Sequence, residues 1–326
     1  MEPVDPFAAV LRPSRTVGGW SSPRGIDTTC LPWRLWEKAK RLAWDPAAID
    51  LTADAEHWAG LPLAYQDAML HVCTGFLVGE EAVTLDIVPL ALAVADEGRL
   101  EEAMYLTSFA FEEAKHVEFF RRWLTAVGAD LDGYYARLAT QAAGLGLHYD
   151  PTQSVGMWES ALPTAMRRVL LDRSPAAMLD ASVTYNQFVE GCLAISGYTL
   201  WADLFALLDA FPGMQQGIRH IRADEGRHIT YGTYLCQRIL AEHPDLLDGA
   251  TARLRELAAF WFEVSPTIDD PDDPISTQLS QDFTARVHDQ VERRIAVLTR
   301  ATTMTVAELE RTGAAEAAER ELLGID

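Results

Sequence analysis

Glu113-Ala-Lys-His116 and Glu225-Gly-Arg-His228 are the only two Glu-x-x-His tetrads in the chain. Residues three apart on a helix lie about 60° apart around its axis, so both side chains of a tetrad can converge on one point. One tetrad alone says little, because 23 Glu and 8 His in 326 residues produce roughly 0.6 of them by chance. Two say more, since each sits midway along a different long helical pattern. Apolar residues flank both: Phe109 and Phe119 the first, Ile221 and Ile229 the second.

The rest of the chain is consistent with helices. Long helical patterns cover residues 62–95 (with Pro89 set to kink or end the run), 99–127, 174–210 and 214–241. Ser174-Pro175 opens the third as an N-cap with proline at the first helical position, and Phe211-Pro212-Gly213 breaks it. Shorter patterns fall at 131–145, 160–171, 247–262, 274–298 and 306–323, the last opening with Thr305 and Glu308 at capping-box spacing. Residues 1–60, rich in Pro, Trp and Gly, read as an irregular arm with one short helix near 33–42. Asp269-Asp-Pro-Asp-Asp273 reads as a solvated acidic turn. There is no run of alternating strands and no Gly-rich phosphate loop. The fold class is therefore all-α, with four long helices as its core. A helical domain is expected over 61–326, made of a core at 62–242 and additional C-terminal helices at 245–326.

Composition narrows the function. The net charge of -21, from 27 Lys+Arg against 48 Asp+Glu, argues against nucleic acid or anionic lipid as partners and suits the holding of cations. The first fifteen residues lack a basic start followed by an apolar run, so no signal peptide is expected. No apolar stretch is long enough for a transmembrane segment. Cys30, Cys73, Cys192 and Cys236 are widely separated and read as reduced thiols of a cytoplasmic protein.

The other two long helices also carry glutamates among apolar residues. Glu80-Glu81 lies between Phe76-Leu-Val78 and Val83, and Glu190 lies between Phe188-Val189 and Cys192-Leu193. Buried carboxylates are expensive unless paired or metal-bound. In chain order the four helices supply Glu, Glu-x-x-His, Glu and Glu-x-x-His, with 33 residues from Glu80 to Glu113 and 35 from Glu190 to Glu225. That is the ligand set of a dinuclear site inside a ferritin-like four-helix bundle. Two divalent ions would balance four carboxylates, and oxygen-plus-imidazole ligation suits iron or manganese. Periodicity alone leaves Glu80 and Glu81 as alternatives.

These residues resemble the ribonucleotide reductase small subunit and its relatives. Gly79-Glu-Glu-Ala-Val-Thr-Leu-Asp86, with Tyr185 five residues before Glu190, is similar to one branch, the R2-like ligand-binding oxidases. The resemblance covers roughly residues 61–238. It implies one Mn and one Fe, with Fe/Fe as the alternative, and a long-chain fatty acid bound to the metals by its carboxylate. It further implies two-electron oxidation with O2, an ether between Val83 and Tyr185, and a homodimer. Glu80, Glu113 and His116 would hold manganese, and Glu190, Glu225 and His228 iron. The resemblance selects Glu80 over Glu81, since the crosslinked valine lies three residues after the first ligand.

Geometry bears on part of this. Val83 is one helical turn from Glu80, whereas Tyr185 and Glu190 are about 140° apart on an ideal α-helix and need a local π-type widening to share a face. Two rival functions use the same ligands: a radical-generating reductase subunit and a diiron hydroxylase or desaturase. The resemblance places a reductase's radical tyrosine four residues after the first histidine, where this chain has Phe120, and no tyrosine follows Tyr234. Tyr198 is a candidate redox relay, and Asp224 a candidate partner for His116.

Overall fold

The structure is a computed structural model that describes residues 25–144, 156–265 and 274–313, with scattered positions up to 320. The first 24 residues of the expected arm and the acidic turn at 269–273 lie outside the described residues. Among those described there are helices and no strand.

Helix α1 (Leu31–Arg41) buries Leu31, Leu35 and Ala39, and after a 3-10 turn at Pro46–Ala48 comes α2 (Thr52–Ala59). Composition alone suggests a more irregular chain here. Pro32 and Pro46 instead occupy first-turn positions, where the missing N–H costs nothing. Helix α3 (Leu63–Asp86) ends where expected, and α4 (Val88–Asp96) restarts with Pro89 in its first turn. Helix α5 (Leu100–Ala126) carries the first tetrad, and α6 (Leu131–Gly144) follows. A π turn (Met157–Ala161) leads into α7 (Leu162–Arg168).

The third long helix is composite. Helix α8 (Pro175–Ser182), capped by Ser174 Oγ accepting from the Ala177 N–H, runs into a π-helix (Val183–Ala194) and continues as α9 (Ile195–Leu208). Helix α10 (Pro212–Glu242) carries the second tetrad. Then come α11 (Leu247–Val264), α12 (Pro274–Ala301) and α13 (Val306–Thr312), the last opened by the Thr305–Glu308 capping box. Helices α3, α5, α8–π–α9 and α10 form the bundle, with α11 and α12 packed on its π-helical side. No helix among the described residues is long and apolar enough to cross a membrane.

The start of α10 is fixed from outside the bundle. Asp209 and Phe211 adopt left-handed φ values of 48° and 58° at the corner. The fully buried Asp54 of α2 accepts from the Gly213 and Met214 backbone N–H groups at 2.8 and 2.7 Å, and from Trp123 Nε1 at 2.8 Å. A carboxylate so placed satisfies two open donors of the helix and complements its dipole. Asp54→Ala strands three buried donors and is expected to cost about 3 kcal/mol in urea unfolding. A loss below about 0.5 kcal/mol, the level of a neutral surface change, would contradict this role.

Candidate metal centre

The six residues of the expected ligand set come together in the bundle interior, each at most 5 % exposed. Ligand atoms of Glu80, Glu113, His116 and Glu225 lie within 4.8 Å of one another, as do those of Glu113, Glu190 and His228. Glu113 belongs to both groups. Its Oε2 is 3.4 Å from His116 Nδ1, and its Oε1 is 3.1 Å from His228 Nδ1. Glu225 Oε1 also stands between the imidazoles, 3.4 Å from His116 Nδ1 and 3.8 Å from His228 Nδ1. Glu80 Oε2 closes one side at 3.1 Å from His116 Nδ1, and Glu190 Oε1 the other at 3.8 Å from His228 Nδ1. Glu81 points outward to Arg121. Of the pair, Glu80 is the one that faces the cluster.

Glu113 Oε2, Glu190 Oε1, Glu225 Oε2 and His228 Nδ1 are buried and make no hydrogen bond. Unsatisfied buried acceptors are costly, and a cluster of them converging on one space fits cations. The donor set of four carboxylates and two imidazoles fits a pair of divalent ions of the iron or manganese kind.

Without such ions the site holds protons. Burial pushes Glu80 up to about 7 against the opposing pull of His116, and burial and neighbouring carboxylates raise Glu190 and Glu225 well above the usual range. For Glu113 burial works upward, but the charge of the two facing imidazoles, His228 foremost, overrides it and lowers the group. Burial would lower both histidines, but the surrounding carboxylates raise them well above the ordinary imidazole value. Metal ligands must be deprotonated, so binding releases protons. Affinity is therefore expected to rise with pH between 6 and 8, by about tenfold per unit for each proton displaced. Titration calorimetry in buffers of different ionisation enthalpy reads the proton count directly; zero protons released would contradict the charge state described.

The outward face of each imidazole has its own carboxylate. His116 Nε2 lies 3.3 Å from Asp224 Oδ2, and His228 Nε2 lies 2.9 Å from Glu112 Oε2. Each acid comes from the opposite helix. Asp224 also accepts from Trp44 Nε1 at 2.7 Å and Lys115 Nζ at 3.2 Å, and Arg227 bridges Asp224 and Glu112. With Nε2 of each ring engaged from behind by a carboxylate, Nδ1 faces the carboxylate cluster, the orientation in which it could serve a cation. Asp224 was expected from the sequence; Glu112 was not. Its signal was the match between Glu112-Glu-Ala-Lys-His116 and Asp224-Glu-Gly-Arg-His228, with an acid before each Glu and a base before each His.

The π-helix supplies the expected widening. Its i→i+5 hydrogen bonding widens the turn and brings residues five apart toward one face, and Tyr185 and Glu190 both lie within it. The Tyr185 hydroxyl donates to Glu113 Oε1 at 2.9 Å, and Asn186 Nδ2 donates to Glu190 Oε2 at 3.1 Å. Val83, 4 % exposed, belongs to the same apolar cluster as Tyr185. The Tyr198 hydroxyl donates to Glu80 Oε1. Phe120 is fully buried and stacks with Phe76 and Trp201.

Four helices around two carboxylate–imidazole groups that share a glutamate define a ferritin-like protein with a dinuclear centre. A profile of the ribonucleotide reductase small chain matches residues 31–258. The R2-like ligand-binding oxidase from Sulfolobus acidocaldarius is 32% identical, with a TM-score of 0.74 over 90% of this chain and 98% of that one. A point variant of an R2-like ligand-binding oxidase, with anaerobically reconstituted Mn/Fe cofactor, is 34% identical (TM-score 0.71, 89% and 100% covered). Another, with a non-activated Mn/Mn cofactor, is 35% identical (TM-score 0.71, 87% and 98% covered). The chain belongs to the R2-like ligand-binding oxidases, within the ribonucleotide reductase small-chain family.

Proposed function

We propose that the protein is an O2-activating oxidase that holds one Mn with Glu80, Glu113 and His116 and one Fe with Glu190, Glu225 and His228. It binds a long-chain fatty acid or similar hydrophobic acid and forms an ether between Val83 Cβ and the Tyr185 oxygen. The observation that carries this reading is the Tyr185 hydroxyl, bonded at 2.9 Å to the glutamate common to both ligand groups. The chemistry that a bound redox-active pair supplies is the reduction of O2 by electrons from both metals, leaving an oxidant strong enough for an unactivated C–H bond.

The protein's part is positional. The hydrogen bond to Glu113 holds the phenol oxygen at the centre, and Val83 sits one turn beyond Glu80 on the facing helix. Forming the ether removes one hydrogen from Val83 Cβ and one from the Tyr185 hydroxyl; these two electrons and two protons, with two electrons that a bound metal pair would supply and two protons from solvent, would complete the reduction of O2 to two waters. The surrounding cluster of Phe109, Phe188 and Val189 keeps water from competing. Intrinsic affinity favours Fe over Mn, so a mixed pair requires selection by site geometry and metal supply.

Two further features support the assembly and location expected from the sequence. Helix α3 leaves Tyr65, Val72, Val78 and Leu85 exposed. A helix apolar all round is normally covered, and a second copy of the chain is the proposed cover. All four cysteines are free and buried, in keeping with a cytoplasmic location.

The test is anaerobic reconstitution with Mn(II) and Fe(II), then air, with metal analysis and peptide mass spectrometry. Near-equal Mn and Fe and a loss of two hydrogens mapped to peptides holding Val83 and Tyr185 are expected, and Tyr185→Phe abolishes that loss. Two irons without a crosslink would indicate a diiron hydroxylase or desaturase. A stable radical without a crosslink would indicate a reductase subunit.

A further inference from the structure

A row of aromatic rings leads away from the centre along two facing helices. On α5 it runs backward through Phe109 and Tyr105; on α10 it runs forward through His228, Tyr231 and Tyr234. Phe109 stacks on His228 at 3.7 Å between ring centroids and lies 5.8 Å from Tyr185. Tyr105 follows at 6.1 Å from Phe109, Tyr231 at 5.1 Å from Tyr105, and Tyr234 at 6.3 Å from Tyr231. Beyond the stacked first pair, these separations fall in the range of touching rings. Every ring is at most 1 % exposed. The row ends at a surface pocket of about 400 Å³ lined by Tyr234, Cys30, Arg99, Glu102 and Glu310.

Packing alone does not account for the hydroxyl partners. Tyr105 Oη is buried and makes no hydrogen bond. Tyr231 Oη donates to Glu102 Oε2 and Tyr234 Oη to Glu310 Oε1, both at 3.0 Å. An oxidised phenol is a strong acid and becomes a stable radical only when a base takes its proton. Tyr231 and Tyr234 have such bases, while Tyr105 does not. A hole passing outward would cross Tyr105 briefly and settle farther from the centre. Burial raises the proton affinity of Glu102, which favours its accepting that proton.

We propose that Tyr105, Tyr231 and Tyr234 form a discharge route that carries oxidising equivalents from the centre to the pocket when the centre has no substrate to oxidise. This rests on the oxidase reading above. In each passage Tyr234 loses an electron and gives its proton to Glu310, and the electron moves inward through Tyr231 and Tyr105 to reduce the oxidised group at the centre by one equivalent. A small thiol at the pocket then gives a hydrogen atom to the Tyr234 radical, restoring the phenol and leaving a thiyl radical, while Glu310 returns its proton to solvent. Two passages remove two equivalents. The route protects the ligands and Tyr185 from oxidative damage.

The experiment uses full-length protein loaded with Mn(II) and Fe(II), exposed to air without added reductant and mapped by peptide mass spectrometry. The same digest reports the Val83–Tyr185 mass loss, and metal-free protein is the control. In the wild type, oxidised tyrosine and cysteine are expected to concentrate at Tyr234 and Cys30, and millimolar thiol to suppress them. Tyr231→Phe, which removes only a hydroxyl, should lower modification at Tyr234 and Cys30 severalfold and shift it inward to Tyr105 and Phe109. Tyr234→Phe should instead leave it at Tyr231. A normal crosslink with one map shared by the wild type and both variants would overturn the route and leave the oxidase reading intact. Equal modification of metal-free protein would also overturn the route, by assigning the damage to solvent oxidants. Absence of the crosslink from metal-loaded wild type would overturn the oxidase reading, and the route with it.

Discussion

Glu113→Ala protein is expected to hold neither ion stoichiometrically, whereas Glu80→Ala and Glu190→Ala should each weaken mainly one. The difference follows from geometry. Glu113 directs one oxygen to each histidine, while Glu80 stands only on the His116 side and Glu190 only on the His228 side. Removing even an outer carboxylate that orients a ligand costs about 10–100-fold in metal affinity, so loss of a shared ligand should exceed 100-fold at both positions. Glu81→Ala is the control one residue from Glu80. Its carboxylate is spent on a surface pair with Arg121, and pairs of that kind contribute little. Metal analysis after gel filtration, with the melting temperature measured with and without chelator, separates the cases. Two ions retained by Glu113→Ala would show that this carboxylate is not shared.

The contrast between Glu80 and Glu81 also shows how far the sequence reached. The two tetrads were legible because three-residue spacing on a helix is a strong geometric constraint, and it recurred on two helices. Pro89, Ser174-Pro175 and Thr305–Glu308 were legible because capping and helix breaking are local chemistry. Neighbouring glutamates in a helix that is apolar all round could not be separated by periodicity; the resemblance selected Glu80, and the structure buries it. The short helix expected near 33–42 forms as α1 (Leu31–Arg41), but α2 (Thr52–Ala59) was not legible in residues 43–60, for a related reason. Their proline and tryptophan content resembles loop punctuation, while their helix is held by distant contacts such as Asp54 with the start of α10. Glu112 escaped notice because its partner, His228, lies 116 residues away. The π-helix was required by the pairing of Tyr185 with Glu190, but nothing in its composition announces it.

That π-helix depends on a close approach by α10, and the second large effect is expected there. Glycine to alanine inside a helix normally gains about 0.5–1 kcal/mol, because glycine gives up the most backbone freedom on folding. At Gly226, inside the second tetrad, an added methyl group would meet nothing within 4 Å, so Gly226→Ala should be neutral or mildly stabilising. At Gly232, six residues along the same helix, a Cβ would stand 2.0 Å from Asn186 Cβ and 2.4 Å from its Cγ. Asn186 cannot swing aside cheaply: its Nδ2 donates to Glu190 and its Oδ1 accepts from Ser182. Since the collision includes Asn186 Cβ, the two helices must part or the π segment must shift. Overpacking of this kind costs about 1–3 kcal/mol or more, opposite in sign to the intrinsic gain. Displacing Asn186 also frees Glu190, so the His228 side should lose its ion before the His116 side does. Urea unfolding of both variants, with metal analysis of each, tests this pairing of effects. If Gly232→Ala proved as stable as Gly226→Ala with full metal content, then α10 would not lie against the π-helix as described.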